Sequence, residues 1–375
     1  MRSDQDVLAG AQFRGVDRGT APGVQGDDPV PVFAGTYFPP QRRYGMPAFP
    51  ELLQAIHQWY GEHRHELGEQ NARLQSALES IQAAPEGAAE VADEAFTEAV
   101  FERGAEQVRS RFDPVHGGFG GAPRFPQAPL LEAVAALGRE PASKDLQRHL
   151  EFSLEKMALS GLRDHLDGGF FRYCVDGSWT IPHFEKMLYD NAMLLPLYAE
   201  GARRWDNALL AATAEGIAGW LQDEMRQPSG GYAASIDADA GGEEGGFHVW
   251  QGEQVDACLD GAVAPLFRRA YGLDEGPNFE GRAWHLQRRI SSKELSDEFG
   301  LTETEVEARL AAARKRLREV REARVHPTRD DKQLTSWNAL LAGGFVRAAT
   351  ALDRRDWLDR AAEILDFIRR ELWQD

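Results

Sequence analysis

The stretch from Gly161 to Asn191 concentrates side chains that can do chemistry. It carries two histidines, several carboxylates, arginines, a lysine and two tyrosines, interspersed with paired glycines and aromatic rings. No period typical of a helix or a strand runs through residues 161–182, so this part is predicted to be a long ordered loop. Such loops commonly carry function, and the aromatic content argues against disorder. The stretch is therefore predicted to form one wall of a site.

Three residues near the end of this stretch, His183, Glu185 and Asp190, are the candidates for acid–base catalysis. An imidazole and carboxyl groups can donate and accept protons once their surroundings adjust their pKa values. The pattern predicts a helix over residues 183–204, with His183, Lys186 and Asp190 on one face. A purely structural alternative is that Glu185 complements the helix dipole and His183 caps the helix.

Two later loops supply further carboxylates. Asp237 and Asp239 lie in an acidic, glycine-rich turn that resembles the start of a calcium loop but lacks its remaining ligands, so no metal is predicted. These carboxylates belong either to a cavity mouth or to a plain hairpin tip. Asp330 and Asp331 precede a helix, where either can face a ligand or serve as the N-cap.

The elements that must position these residues are mostly helices. Phe49 begins a helix, and Thr302 with Glu305 forms a capping box for a strongly charged helix that is expected to be solvated. A short strand is predicted at residues 29–38. The further helices are predicted at about 127–138, 143–159, 206–226, 252–271, 302–323, 330–352 and 356–373.

A Gly-Gly-aromatic motif recurs along the chain. It occurs at Gly117, Gly168 and Gly230, and again at Gly245. Repetition at 50 to 60 residues with intervening helices predicts stacked helical hairpins that close on a common mouth, as in an α/α toroid. The loops that should converge there are residues 113–127, 160–191, 228–250 and 329–338.

The composition narrows the classes of partner. The 375 residues carry 42 basic and 60 acidic side chains, a formal charge of −18, which disfavours nucleic acid and anionic membranes. No apolar run approaches a membrane span and no signal peptide is evident, so a cytoplasmic location is expected. Cys174 and Cys258 form no paired motif. We expect a small-molecule ligand and no cofactor, and the oligomeric state is not indicated.

Several ordered blocks resemble a specific family. FAGTYFPPQRRYGMPAFPELL, GGFGGAPRFPQ, SWTIPHFEKMLYDNA and DDKQLTSWNALLAGGF are similar to the thioredoxin-domain proteins related to spermatogenesis-associated protein 20. The resemblance covers about residue 30 to the C-terminus. It implies a thioredoxin-like domain followed by a six-hairpin α/α barrel similar to those of glycoside hydrolases and sugar 2-epimerases.

Composition and the resemblance together predict the domain organisation. We expect a disordered lead over residues 1–28, a remnant of the thioredoxin-like domain over 29–82 and a linker over 83–92. Residues 93–375 are expected to form a mostly α, incomplete six-hairpin toroid. The family's cysteine pair has no counterpart here, and the hairpins number fewer than six, so the chain is interpreted as truncated at both ends.

The resemblance also suggests carbohydrate as the ligand class, handled by a hydrolase or an epimerase through acid–base chemistry at the barrel mouth. A non-catalytic binding protein, or a redox accessory protein that has lost its cysteine motif, are the alternatives. Phe171 and Trp179 would stack on the apolar face of a sugar. The full set of expected binding residues is His165, Asp167, Phe171, Arg172, Tyr173, Trp179, Tyr189, Asn191, Asp237, Asp239, Asp331 and Trp337.

Overall fold

The computed structural model describes residues 11–15, 30–35, 39, 41–42, 46–63, 69, 72–73, 76, 98–137 and 144–373. The chain divides into two compact units between Ala95 and Phe96. This division lies just after the predicted linker at 83–92, whose residues are outside the described part.

The first unit contains a two-stranded antiparallel sheet and one helix. Strand β1 (Ala11–Gly15) pairs with β2 (Val30–Gly35), and helix α1 spans Phe49–His63. The strand predicted at 29–38 is thus confirmed in its central part. The disordered lead predicted over 1–28 is wrong at β1, because β2 supplies hydrogen-bonding partners that local sequence does not reveal.

The second unit is mostly α. Its helices, in chain order, are α2 (Glu98–Arg111), α3 (Ala128–Leu137), α4 (Lys144–Leu159), α5 (Leu188–Trp205), α6 (Ala208–Trp220), α7 (Gly252–Cys258), α8 (Ala264–Tyr271), α9 (Ser292–Phe299), α10 (Glu303–Arg321), α11 (Thr335–Leu352) and α12 (Arg355–Phe367). Single π-helical turns follow α6 at Leu221–Met225 and α12 at Ile368–Leu372.

Helix α5 lies at the centre of the packing. It contacts α3, α6 and, most extensively, α11, and its buried side chains lie around most of its circumference. Helices α4, α6 and α12 form an outer row that covers α3, α5 and α11. The described part of the chain therefore contains three inner–outer pairs, which is the hairpin arrangement predicted for an α/α toroid.

The Gly-Gly-aromatic repeat closes equivalent loops. Isolated β-bridges join Phe112 to Phe119, Arg163 to Phe170 and Arg226 to Tyr232, so each aromatic residue closes a short loop before the next inner helix. Glycine is required at the second loop, where a Cβ on Gly168 would lie 2.3 Å from the carbonyl oxygen of Gly216.

Two predicted helices begin later than expected. The helix predicted from residue 183 begins at Leu188, and the one predicted from 330 begins at Thr335. The residues before each helix instead pair in short strands. Strand β3 (Tyr173–Cys174) pairs with β4 (Pro182–His183), and β6 (Ser235–Ile236) lies between β5 (Lys186–Met187) and β9 (Arg329–Asp330) and pairs with both. His183, Lys186 and Asp190 therefore do not share a helix face, and neither His183 nor Asp331 caps a helix.

An insertion separates α6 from α11. It contains a hairpin of β7 (Asp239–Ala240) and β8 (Glu243–Glu244), followed by α7 to α10, which have their own hydrophobic cluster around Trp250 and Phe267. Helix α7 ends at Cys258 and α8 begins at Ala264, so the helix predicted over 252–271 is interrupted. The capping box of Thr302 and Glu305 is confirmed, but α10 is not solvated all round because it buries Leu310, Leu317 and Arg321.

Candidate acid–base site

The predicted mouth loops converge at the N-terminal ends of α5 and α11. Strands β5, β6 and β9 join three of them in one small sheet, and the bridge between Arg124 and Cys174 joins the fourth. Contacts distant in sequence thus hold the loop that the residue pattern singled out. Arg172 N donates to the carbonyl oxygen of Glu185 at 2.8 Å, which sets the two side chains on one side of the loop.

Six side chains form what we call the mouth cluster: Arg172, His183, Glu185, Tyr189, Asp190 and Glu244. Arg172 Nη1 lies 3.1 Å from Glu185 Oε2, and His183 Nε2 lies 3.8 Å from the same oxygen. His183 Nδ1 lies 2.7 Å from Glu244 Oε1. All three predicted catalytic residues therefore lie in one cluster, joined by Glu244 from the β7–β8 hairpin.

Asp190 is the perturbed carboxyl of this cluster. Burial, with a smaller contribution from the charge of Glu185, raises its pKa to about 7 against the opposing effects of Arg172 and of a hydrogen bond with Tyr189. Its Oδ2 atom is buried without a hydrogen-bond partner among the described residues. A carboxyl that is half protonated near neutral pH and has an unused oxygen can serve as a general acid or base.

His183 and Glu244 form a charge-assisted pair at the edge of the cluster. Burial disfavours the charged imidazole, but the hydrogen bond and charge of Glu244 outweigh it, so the pKa of His183 is raised. The same hydrogen bond lowers the pKa of Glu244. Tyr173 stacks on the His183 ring at 5.1 Å, and Tyr189 packs edge-on against Trp337 at 4.8 Å.

A second group of charges, the buried cluster, lies beneath the loop: Asp164, Asp167, Lys186, His248 and Arg321. Lys186 Nζ lies 2.8 Å from Asp164 Oδ2, and Arg321 pairs with both aspartates. The cations hold the pKa of Asp164 well below its usual range despite its burial. Burial lowers the pKa of His248 to about 3, so its ring is neutral at physiological pH. Asp167, which was expected to bind the ligand, is instead an ion-pair partner of Arg321.

Several expected binding residues have structural roles instead. Phe171 and Trp179 are completely buried, so neither presents a ring face for stacking on a sugar; Trp179 Nε1 donates to the carbonyl oxygen of His116. His165 donates from Nε2 to the carbonyl oxygen of Ser160 at 2.9 Å, and burial lowers its pKa to about 3. Asn191 is buried and bonded only to backbone groups.

The remaining predicted residues lie near the site but outside the mouth cluster. Asp237 is half-buried, and Asp239 is exposed in β7. Asp331 is exposed and accepts from Arg329 Nε at 2.6 Å. Cys174 is buried, and burial raises the pKa of its thiol, which keeps the sulfur protonated and unreactive.

Four residues of the two clusters were not predicted as site residues from the sequence: Glu244, Asp164, His248 and Arg321. Glu244 lies in the acidic glycine-rich turn, which the sequence did mark as unusual. Arg321 and Asp164 are separated by 157 residues, and no local pattern relates them. Within the described residues, no group of three or more His, Cys, Asp or Glu side chains is arranged to hold a metal ion.

Two concave regions adjoin these clusters. A pocket of about 390 Å³ is lined by Glu244, Trp250 and Arg324, among others. A cavity of about 190 Å³ is lined by Asp167, Lys186, Glu224 and His248.

In the part of the chain that is described, no helix is both long and apolar enough to cross a bilayer.

Comparison with known proteins gives relatives over most of the chain. Residues 24–79 match a thioredoxin-related family described as a protein of unknown function, DUF255. An uncharacterized protein of Caenorhabditis elegans is 31% identical over 91% of this chain and 50% of its own length. Human spermatogenesis-associated protein 20 is 29% identical over 92% of this chain and 47% of its own length. The chain thus spans about half the length of these relatives.

Solved structures with a similar arrangement are distant. A sugar epimerase from a ruminal bacterium matches with a TM-score of 0.33 and 12% identity, over 72% of this chain and 86% of its own. Cellobiose 2-epimerase from Bacillus thermoamylovorans B4167 matches with a TM-score of 0.32 and 11% identity, over 73% and 88%. The resemblance to proteins related to spermatogenesis-associated protein 20, which the sequence blocks indicated, is confirmed by the relatives themselves.

Proposed function

We propose that this chain performs acid–base chemistry on a small carbohydrate-type ligand at the mouth cluster. The observation that carries the proposal is Asp190, a carboxyl with a pKa of about 7 and a free buried oxygen. It lies beside Glu185, whose carboxylate is held by Arg172. Two carboxyl groups in contrasting surroundings are the arrangement that divides acid and base roles within one site.

The chemistry follows from these surroundings. Protonated Asp190 can deliver its proton to a leaving or carbonyl oxygen, while Glu185 accepts a proton from water or from a carbon next to a carbonyl. When the proton comes from water and Asp190 protonates the leaving oxygen, the result is glycoside hydrolysis. When the proton comes from the carbon, the result is an enediol; return of a proton to the opposite face of that carbon, with Asp190 taking back its proton, completes epimerisation. The half-buried rings of Tyr173, Tyr189 and Trp337 flank the carboxyl groups, which suits a ligand with both hydroxyl groups and apolar C–H faces.

The test is turnover of a panel of free sugars and aryl glycosides by the parent protein and by Asp190→Asn. We expect turnover of at least one compound and a loss of about 10²–10⁴-fold in the variant. Asp256→Asn is the matched control, since Asp256 is an exposed carboxylate paired with Arg268. Absence of turnover by the folded parent, or unchanged turnover by Asp190→Asn, would contradict the proposal.

A non-catalytic binding role is favoured by one observation. His183 and Glu185 are both engaged in ion pairs, with Glu244 and Arg172 respectively, which neutralises groups that catalysis needs free. Calorimetric binding of the same panel separates the two functions. Binding without turnover, with equal affinity for the parent and Asp190→Asn, identifies a binding protein.

A further inference from the structure

The 390 Å³ pocket contains an arginine that forms no ion pair within the described residues. Arg324 Nη1 donates to the carbonyl oxygens of Phe247 and Val249 at 2.8 and 2.7 Å, and its guanidinium lies 4.0 Å from the ring centre of Trp250. These contacts fix the orientation of the guanidinium but do not neutralise it. Burial and the neighbouring Arg321 lower its pKa to about 10, so it stays charged at neutral pH.

The other charged side chains that line this pocket have partners. Arg282 Nη2 lies 2.8 Å from Glu280 Oε2 and 4.0 Å from Glu243. Glu244 lies 2.7 Å from His183. Arg324 is therefore the cation of this pocket whose charge lacks a carboxylate among the residues described.

A second donor lies on the same wall. Trp250 is completely buried, and its Nε1 has no acceptor in the described part of the chain. Leaving a buried donor unsatisfied is unfavourable. A guanidinium that lacks a carboxylate partner and an indole N–H that lacks an acceptor, both among the described residues, call for a ligand that supplies oxygen atoms and negative charge.

We propose that this pocket binds the oxyanion of a small acidic ligand, a sugar acid or a sugar phosphate, against Arg324. The remainder of the ligand extends towards Glu244, which belongs both to the pocket wall and to the mouth cluster. The inference thus names a substrate class for the proposed function and rests on that function for the chemical step. Binding of the anion itself requires no catalysis.

The experiment measures binding by calorimetry with three probes: glucuronate, glucose 6-phosphate and neutral glucose. We expect at least one anion to bind the parent about tenfold or more tightly than glucose. The anion that binds more tightly shows whether the pocket prefers a carboxylate or a phosphate. Arg324→Gln should reduce this affinity about tenfold and leave glucose binding unchanged. Arg282→Gln, at the same pocket but already paired, should bind the anion as the parent does.

A steric variant tests the same pocket without replacing Arg324, so its result does not depend on whether Arg324→Gln disturbs the local fold. Val325 lines the pocket and is 67% exposed, so Val325→Trp narrows the pocket without disturbing buried packing, and it should also abolish anion binding. Equal affinity for glucose and both anions, no binding of either anion by the folded parent, or unchanged binding by Val325→Trp would overturn the proposal. Asp190→Asn should retain anion binding, so failure of the chemical step is distinguishable from failure of this site.

Discussion

Asn191 and Asn338 make the same three hydrogen bonds at equivalent places in two inner helices. Each is the fourth residue of its helix, α5 or α11. The side-chain oxygen accepts from the backbone N–H of Phe170 or Tyr232, at 2.7 and 2.8 Å. The side-chain nitrogen donates to the carbonyl oxygen of that same aromatic residue and to the carbonyl four residues earlier. This clamp ties each of these two Gly-Gly-aromatic loops to the next inner helix.

Removal of the clamp is expected to destabilise the second unit. Asn338→Ala leaves the backbone N–H and C=O of Tyr232 buried without partners, so we expect a loss of about 2–4 kcal/mol. Urea unfolding at pH 7 measures the loss. Ser336→Ala is the control, because Ser336 lies in the same helical turn but is exposed. A cost below about 0.5 kcal/mol for Asn338→Ala would contradict this role.

The buried cluster is expected to tolerate removal of its central carboxylate poorly. Asp164 pairs with Lys186 and Arg321, all of which are almost completely buried. Asp164→Ala leaves the buried Lys186 without its ion-pair partner and leaves Arg321 paired with Asp167 alone, so we expect a cost of about 3–5 kcal/mol or loss of folding.

Surface ion pairs provide the comparison for this prediction. Asp256→Ala breaks the exposed pair with Arg268 and should cost at most about 1 kcal/mol. Thermal unfolding of both variants measures the difference. Similar melting temperatures for the two variants would refute the central role of Asp164.

Asp190 should make stability depend on pH. Its folded pKa of about 7 lies above the ordinary value of 3.8, so folding favours the protonated form. The stabilisation is complete below pH 3.8 and is lost as pH rises through about 7. Relative to Asp190→Asn, the parent should therefore lose on the order of a few kcal/mol between pH 5 and pH 8. Denaturant unfolding across this range measures it, and parallel curves for the two proteins would contradict the assignment.

His183 should add a smaller dependence in the same direction. Because Glu244 raises its pKa, the pair stabilises the fold fully below the unfolded pKa of 6.5, and the stabilisation is lost as pH rises through the raised value. The histidine C–H resonances in NMR should titrate at higher pH in the parent than in Glu244→Gln. An unchanged midpoint in the variant would show that Glu244 does not control His183.

The helical architecture and the region of the candidate site were predictable from local sequence. Helical periods placed α3, α4 and α12, and side-chain chemistry predicted the capping box of Thr302 and Glu305. The repeated Gly-Gly-aromatic motif predicted that separate loops converge. These predictions were possible because helical periodicity, capping and the repeated motif each depend on a few neighbouring residues or on one hairpin.

The surroundings of the individual site residues depend on contacts between distant parts of the chain. Residues 182–187 would continue a helix locally, but β4 pairs with β3 and β5 pairs with β6, so α5 begins at Leu188. Likewise, Phe171 and Trp179 lie in a polar stretch of sequence, which favoured a binding role, but in the structure both side chains are buried in the core. Asp164 obtains its charge partner from Arg321, 157 residues away. Burial and long-range pairing set the pKa and accessibility of each group, and neither quantity is a property of the neighbouring sequence.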